Sequence, residues 1–284
     1  MIDTTTDTLV DTIVLPVYAS DIAIDSSTRT IYIVSAVDRQ TDHGILTVID
    51  GATNTIRAQI SVGTYALRVA VDETTHTAYV LGNVKGGFED ERGAVYSSVV
   101  SVVPEGSDSA STVVPVSPHY LQDIAIDPGA QVAYVVGTEV EAIDLTTHSR
   151  QNVPWPLPDA SQAEFDPDTE KVFILNKKGG IAVLDPATST VTDIYLGFGT
   201  DKDASGLSIT YKAAFDPTAQ AVYTLSDGLE GADDRMRVTD MATDAVAKTM
   251  ALDEPRDLVV DPETHTLYAL VKGEVVILPP PTLR

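Results

Sequence analysis

The chain contains no cysteine. That excludes a disulfide framework, a thiolate metal site and a cysteine nucleophile, and it leaves the redox compartment open. Basic residues are also scarce: 18 Lys and Arg stand against 42 Asp and Glu, for a formal net charge of −24. Such a surface repels phosphate backbones and anionic lipid heads, so neither nucleic acid nor direct membrane insertion is expected. No apolar run approaches membrane-spanning length, and the opening MIDTTTDTLVD lacks the basic and apolar regions of a signal peptide. No Ser-His-Asp spacing, glycine-rich phosphate loop or HExxH motif is found. Abundant Asp and Thr with few Lys favour an extracellular or cell-surface setting as a mature domain, with the cytoplasm as the alternative.

What is present is a globular amount of hydrophobic residues, 43% of 284, enough to bury a substantial core. Those residues recur in register. Three mostly apolar residues, an Asp, a polar turn of about five residues and an aromatic that leads a second apolar stretch occur six times. The copies are IAIDSSTRTIYIV (22–34), VAVDETTHTAYVL (69–81), IAIDPGAQVAYVV (124–136), AEFDPDTEKVFIL (163–175), AAFDPTAQAVYTL (213–225) and LVVDPETHTLYAL (258–270). The aspartates are Asp25, Asp72, Asp127, Asp166, Asp216 and Asp261; the aromatics seven residues later are Tyr32, Tyr79, Tyr134, Phe173, Tyr223 and Tyr268. Each copy reads as strand, turn, strand.

A second turn follows the first, as VIDGATNTI (48–56), AIDLTTHSR (142–150), VLDPATSTV (183–191) and VTDMATDAV (238–246). Two hairpins per period make four strands. Repeats spaced by roughly 40–50 residues with four strands and no amphipathic helix predict a β-propeller. The last copy stops at EVVILPPPTLR, after its third strand, while MIDTTTDTLVDTIVLPV at the other end matches a second-hairpin turn followed by a strand. The expectation is therefore an all-β, six-bladed propeller of four-stranded antiparallel blades, a single domain over 1–284, with the N-terminal strand completing the last blade so that no edge is exposed. Its blades are about 19–63, 64–118, 119–158, 159–207, 208–255, and 256–284 with 1–18.

The alternation of VAVDxxTxxxYV with VIDxATNTV resembles the YVTN-repeat, or YncE-like, β-propeller family. The matching stretches are Tyr79-Val80-Leu81-Gly82-Asn83, Phe173-Ile174-Leu175-Asn176 and Ile49-Asp50-Gly51-Ala52-Thr53-Asn54-Thr55-Ile56. The resemblance covers essentially the whole chain and implies the propeller fold. Many members of that family look seven-bladed, where this chain carries six copies. Related propellers include surface-layer components, nucleic-acid binders, sugar lactonases and lyases, and fold alone does not choose among them.

In a propeller the first strand of each blade lines a central channel, and function gathers at its mouth. Four residues before each repeat Asp stand Asp21, Arg68, Asp123, Gln162, Lys212 and Asp257, a polar ring. Three acids, two bases and an amide fit a salt-bridge network; the functional alternative is a ligand, or a calcium or magnesium ion held by Asp21, Asp123 and Asp257. No cofactor is otherwise expected, and Arg68 and Lys212 count against a bare metal site. Tyr18, Tyr65 and Tyr120, seven before the Asp in three adjacent blades, form either a binding wall or inter-blade packing. His43, in a second-to-third-strand loop, and His119, in an inter-blade connection, are candidate general bases with Asp21 or Asp123. His76 and His265 fall in repeat turns whose equivalents are Arg29, Gln131, Glu170 and Gln220, which reads as exposed turn rather than site. The long connections 82–95, 198–207 and 226–236 are expected to be solvated loops; their acids do not match an EF-hand spacing. The function expected is a monomeric binding or scaffold propeller recognising a protein, peptide or glycan at its loop face and channel mouth. The alternative is a lactonase- or lyase-like enzyme at that mouth.

Overall fold

Each repeat Asp ends a run of β-formers by giving the next backbone amides a carboxylate to bond, and a chain held that way must turn. In the computed structural model, Asp25 Oδ1 accepts from the Ser27 and Thr28 amides at 3.0 and 3.1 Å. Asp72 does the same for Thr74, Asp127 for Ala130, Asp216 for Ala219 and Asp261 for Glu263 and Thr264. The second hairpins repeat the device at Asp50, Asp144, Asp185 and Asp240. Four residues after each first-hairpin Asp the backbone enters the left-handed region, with φ between 53° and 58° at Arg29, His76, Gln131, Glu170, Gln220 and His265. That conformation favours glycine. None of the six is glycine.

The structure describes residues 2–3, 6, 8–15, 18–38, 43–63, 65–89, 95–116, 121–155, 160–176, 180–194, 208–228, 234–243, 245–261 and 263–278. Among these it contains 25 strands and no helix. They run β1 (Ile2–Asp3), β2 (Thr8–Leu9), β3 (Ala19–Asp25), β4 (Thr30–Asp38), β5 (His43–Asp50), β6 (Thr55–Ser61), β7 (Tyr65–Asp72), β8 (Thr77–Glu89), β9 (Val95–Pro104), β10 (Thr112–Pro115), β11 (Leu121–Asp127), β12 (Val132–Gly137), β13 (Val140–Asp144), β14 (Arg150–Val153), β15 (Ala160–Asp166), β16 (Lys171–Asn176), β17 (Ile181–Asp185), β18 (Thr190–Ile194), β19 (Ser208–Asp216), β20 (Ala221–Gly228), β21 (Arg235–Asp240), β22 (Ala245–Ala251), β23 (Pro255–Val260), β24 (Leu267–Val271) and β25 (Glu274–Leu278). The sheets are β3–β6, β7–β10, β11–β14, β15–β18, β19–β22 and β23–β25, each in sequence order, with β1–β2 as a separate pair. The fold is the six-bladed β-propeller that the repeat predicts.

The last blade is described with three strands. The expected fourth strand from the N-terminus is not among its described pairings; Ile2 and Asp3 pair locally with Leu9 and Thr8. That register is the one second hairpins use, as in Ile49↔Ile56 and Asp50↔Thr55 or Leu184↔Val191 and Asp185↔Thr190. A turn this short closes on itself at little entropic cost, which favours the local pairing. The connection 82–95 also departs from expectation. Its described part is strand, because Val84, Phe88, Val95 and Tyr96 are β-formers: Val84 pairs with Ser97 and Glu89 with Val95.

The chain falls into two compact units, 1–135 with 141–152, and 136–140 with 153–284. In the first, Ile124 and Ile126 of blade 3 pack on Tyr79, Leu81, Val100 and Val102 of blade 2. Val69 and Ala66 of blade 2 pack likewise on Tyr32, Val34, Leu46 and Val48 of blade 1. In the second unit, Ala213 and Phe215 of blade 5 meet Phe173 and Leu175 of blade 4, the two phenyl rings stacked at 5.1 Å. Leu258 of blade 6 meets Tyr223, Leu225 and Met236 of blade 5. One rule covers all four interfaces: residues three and one before the Asp press on the aromatic and the aliphatic seven and nine after the preceding Asp. Alanines at 23, 70 and 214 pair directly opposite the aromatics and leave room for them.

Burial works to raise the pKa of Asp25, but hydrogen bonds from Ser27, the Thr28 amide and His76 outweigh it and hold the carboxyl at about 2. A lowered folded value means a stabilisation fully present above the unfolded pKa near 3.8 and lost as pH falls from there through 2. Urea unfolding across that acid window is expected to show a stability slope that Asp25→Asn reduces. Parallel wild-type and variant curves would show that Asp25 contributes no such linkage.

Candidate functional site

Five of the six ring residues owe their aim to a backbone irregularity. A β-bulge lies just before Asp21, Arg68, Gln162, Lys212 and Asp257, at Ser20, Leu67, Ser161, Tyr211 and Arg256. A bulge rotates the residue that follows it and re-aims its side chain. Ser20 and Ser161 secure the irregularity through hydroxyls that donate to the carbonyls of Val34 and Leu175 on the neighbouring strand.

So aimed, these side chains cross to the next inner strand. Asp21 Oδ2 accepts from the Val69 amide at 2.9 Å. Gln162 bonds the backbone of Ala213 twice, its Nε2 donating to the carbonyl at 2.7 Å and its Oε1 accepting from the amide at 2.9 Å. Arg68 Nε lies 3.6 Å from Asp123 Oδ1, and Lys212 Nζ lies 3.0 Å from Asp257 Oδ1. Asp123 and Asp257 also accept from the amides that follow them, Ile124 and Leu258. The ring residues thus strap neighbouring blades within each unit. Carboxylates engaged with amides and cations have fewer lone pairs for a divalent ion. Among the described residues no group of three or more His, Asp or Glu side chains is placed to hold a metal ion.

Tyr18 precedes β3 and is 94% exposed, whereas Tyr65 opens β7 half-buried. Tyr120 and His119 lie outside the described residues. His43 opens β5, exposed, opposite Asp38 in the β4–β5 register. Its neighbour Gly44 is pinned at the blade 1–blade 2 contact: an added Cβ would stand 2.7 Å from the Ala66 nitrogen, and the Gly44 amide donates to the Gly63 carbonyl. His43 is therefore carried on a fixed strand end. The acids paired with it in the sequence reading, Asp21 and Asp123, bond the Val69 amide and Arg68.

The turn histidines have a role that the sequence reading missed. His76 Nδ1 lies 2.8 Å from Asp25 Oδ2 in the preceding blade, and His265 Nδ1 lies 2.9 Å from Asp216 Oδ2. An ionised carboxylate only accepts, so Nδ1 carries the proton. Gln131 donates to Asp72 Oδ2 from the same repeat position at 2.7 Å. An amide cannot act as a base, so its presence at an equivalent place marks the position as a donor that clasps blades together rather than as half of a catalytic dyad. The signal available in the sequence was the consistent avoidance of glycine at a turn position with positive φ.

No family model matches the chain, and no curated protein matches it. Among solved structures it is similar to a chain of Kuenenia stuttgartiensis hydrazine synthase, with a TM-score of 0.75 and 14% identity over 98% of this chain and 88% of that one. That likeness concerns the fold.

Gln162→Ala removes two bonds to a part-buried backbone and is expected to destabilise by about 1–3 kcal/mol in chemical denaturation. Lys212→Met removes a partly exposed ion pair and is expected to cost less than about 1 kcal/mol. Equal losses would contradict the assignment of Gln162 as the tighter strap.

Proposed function

We propose that the chain is a non-catalytic binding or scaffold propeller of the YVTN-repeat kind, working as an exported or cell-surface domain that recognises a protein, peptide or glycan through its strand-connecting loops. One observation carries this reading. The polar inner-strand residues that a lactonase- or lyase-like site would need are engaged in strapping: Asp21 to Val69, Arg68 to Asp123, Gln162 to Ala213 and Lys212 to Asp257. A binding surface needs no such groups free. It needs a rigid scaffold and a projecting element.

The β8–β9 hairpin is the element best suited to that work. β8 has 13 residues and β9 has 10, against 6 and 5 for the corresponding strands of blade 3. In a chain of charge −24 this favours neutral or cationic partners and disfavours nucleic acid. The reading requires no bound calcium or magnesium.

The test is a shortened hairpin, with Asn-Gly joining Val84 to Ser97, a two-residue turn compatible with their pairing. The intact chain is expected to be captured by a peptide or glycan on arrays, with or without a chelator. The shortened chain is expected to keep its thermal unfolding temperature and lose at least about tenfold in affinity, roughly 1.4 kcal/mol. Hydrolysis of sugar lactones that Asp123→Asn abolishes would sink the reading in favour of an enzyme.

A further inference from the structure

The face of blade 5 that meets blade 4 carries charge. Val222 of β20 packs with Phe173, Leu175 and Ile181 of blade 4, while Met236 and Val238 of β21 pack with Leu258 of blade 6. Side chains alternate along a strand, so Arg235, Arg237 and Thr239 of β21 stand on the side of blade 4. The register agrees: Val222 lies opposite Thr239, Thr224 opposite Arg237 and Ser226 opposite Arg235. Arg237 is 3% exposed, and Thr224 is buried beside it. Arg235 opens β21 and is half-buried, so the cluster reaches solvent at that end.

Two guanidiniums on one face repel each other, and a buried one needs acceptors for five N–H donors. The cross-strand neighbours carry no charge: they are Thr224 and Thr249 for Arg237, and Ser226 and Ala251 for Arg235. Blade 3 shows the other solution. Its residue three before the second-hairpin Asp is Glu141, also buried, and Arg150 of the fourth strand holds it at 3.4 Å. The fourth-strand position that supplies Arg150 there is Val246 in blade 5. A second observation lies deeper on the same face. Thr239 is fully buried, and its Oγ1 has no hydrogen-bond partner among the described residues. An enclosed hydroxyl costs free energy until something bonds it.

We infer that this face of blade 5 binds a small oxyanion, a phosphate or a carboxylate, with Arg235 and Arg237 supplying the charge and Thr239 donating its hydroxyl at the buried end. Guanidinium forks match the paired oxygens of such groups, a geometry that chloride lacks. The chain as a whole is acidic, at −24, so an anion is drawn only where cations stand together. The site is separate from the β8–β9 hairpin, which belongs to the other compact unit.

The test is titration of the full chain with inorganic phosphate and with acetate, at constant ionic strength set by chloride, read by calorimetry and thermal unfolding for the wild type, Arg235→Gln and Thr239→Val. The wild type is expected to bind at least one of the two anions saturably, and the tighter of them distinguishes a phosphate ligand from a carboxylate. Arg235→Gln should weaken binding at least about tenfold, as loss of a charge-assisted bond does. Thr239→Val should weaken it at least about threefold, yet leave thermal unfolding in chloride alone unchanged or raised, because the buried hydroxyl then has no bond to lose. A purely structural Thr239 would do the reverse, lowering the unfolding temperature and leaving affinity untouched. That result would overturn the inference, as would a wild type with no saturable response to either anion or an affinity indifferent to Arg235→Gln.

Discussion

Everything in this structure leans on the repeat aspartate. Its carboxylate turns the chain by bonding amides two or three residues on, and at Asp25, Asp72 and Asp216 its second oxygen receives a donor from the next blade. Local turn and inter-blade contact thereby share one buried anion. An unpartnered buried carboxylate would be costly, and one held by several donors rigidifies its surroundings instead. Asp25 is fully buried among such donors, and the carboxyl is held acidic by them in spite of burial.

The other inter-blade links extend the same logic inward. Aromatics and aliphatics seven and nine after the Asp supply the apolar contact. The bulged inner strand supplies a polar strap four residues before it. Three levels of contact at fixed offsets from one residue explain how a repeat with variable loops keeps a constant interface. They are also what the proposed function rests on: residues at the inner strand ends hold the geometry, and the proposal assigns recognition to the connections. The β8–β9 hairpin is the largest departure from the repeat among the described residues, and departures from a structural period are where a specific surface can be built.

Much of the fold was legible because packing is periodic. The Asp and the aromatic recur at a fixed offset, and the four-strand period follows from two turn motifs of distinct composition. The clasp was not legible in the same way. Arg29, His76, Gln131, Glu170, Gln220 and His265 share no chemistry obvious from type; what the observed clasps at His76, Gln131 and His265 share is an N–H donor projecting from a left-handed turn. The bulge at Ser20 and Ser161 was equally silent, since a hydroxyl bonding one strand over leaves no spacing signature. Of the candidate site, the ring residues were picked out by their repeat position, and their engagement as straps emerged only from distances. Among the described pairings blade 6 has three strands, and Ile2 and Asp3 pair with Leu9 and Thr8 in the second-hairpin register that their sequence suggested.

The central claim is that a donor four residues after one Asp bonds the Asp of the blade before it and holds the pair together. The most direct measurement is a double-mutant cycle in urea at neutral pH between Gln131 and Asp72, a pair in which the donor carries no charge. The account expects a coupling of about 1–3 kcal/mol, as for a part-buried bond to an ionised acceptor. Additive losses, with no coupling, would contradict it.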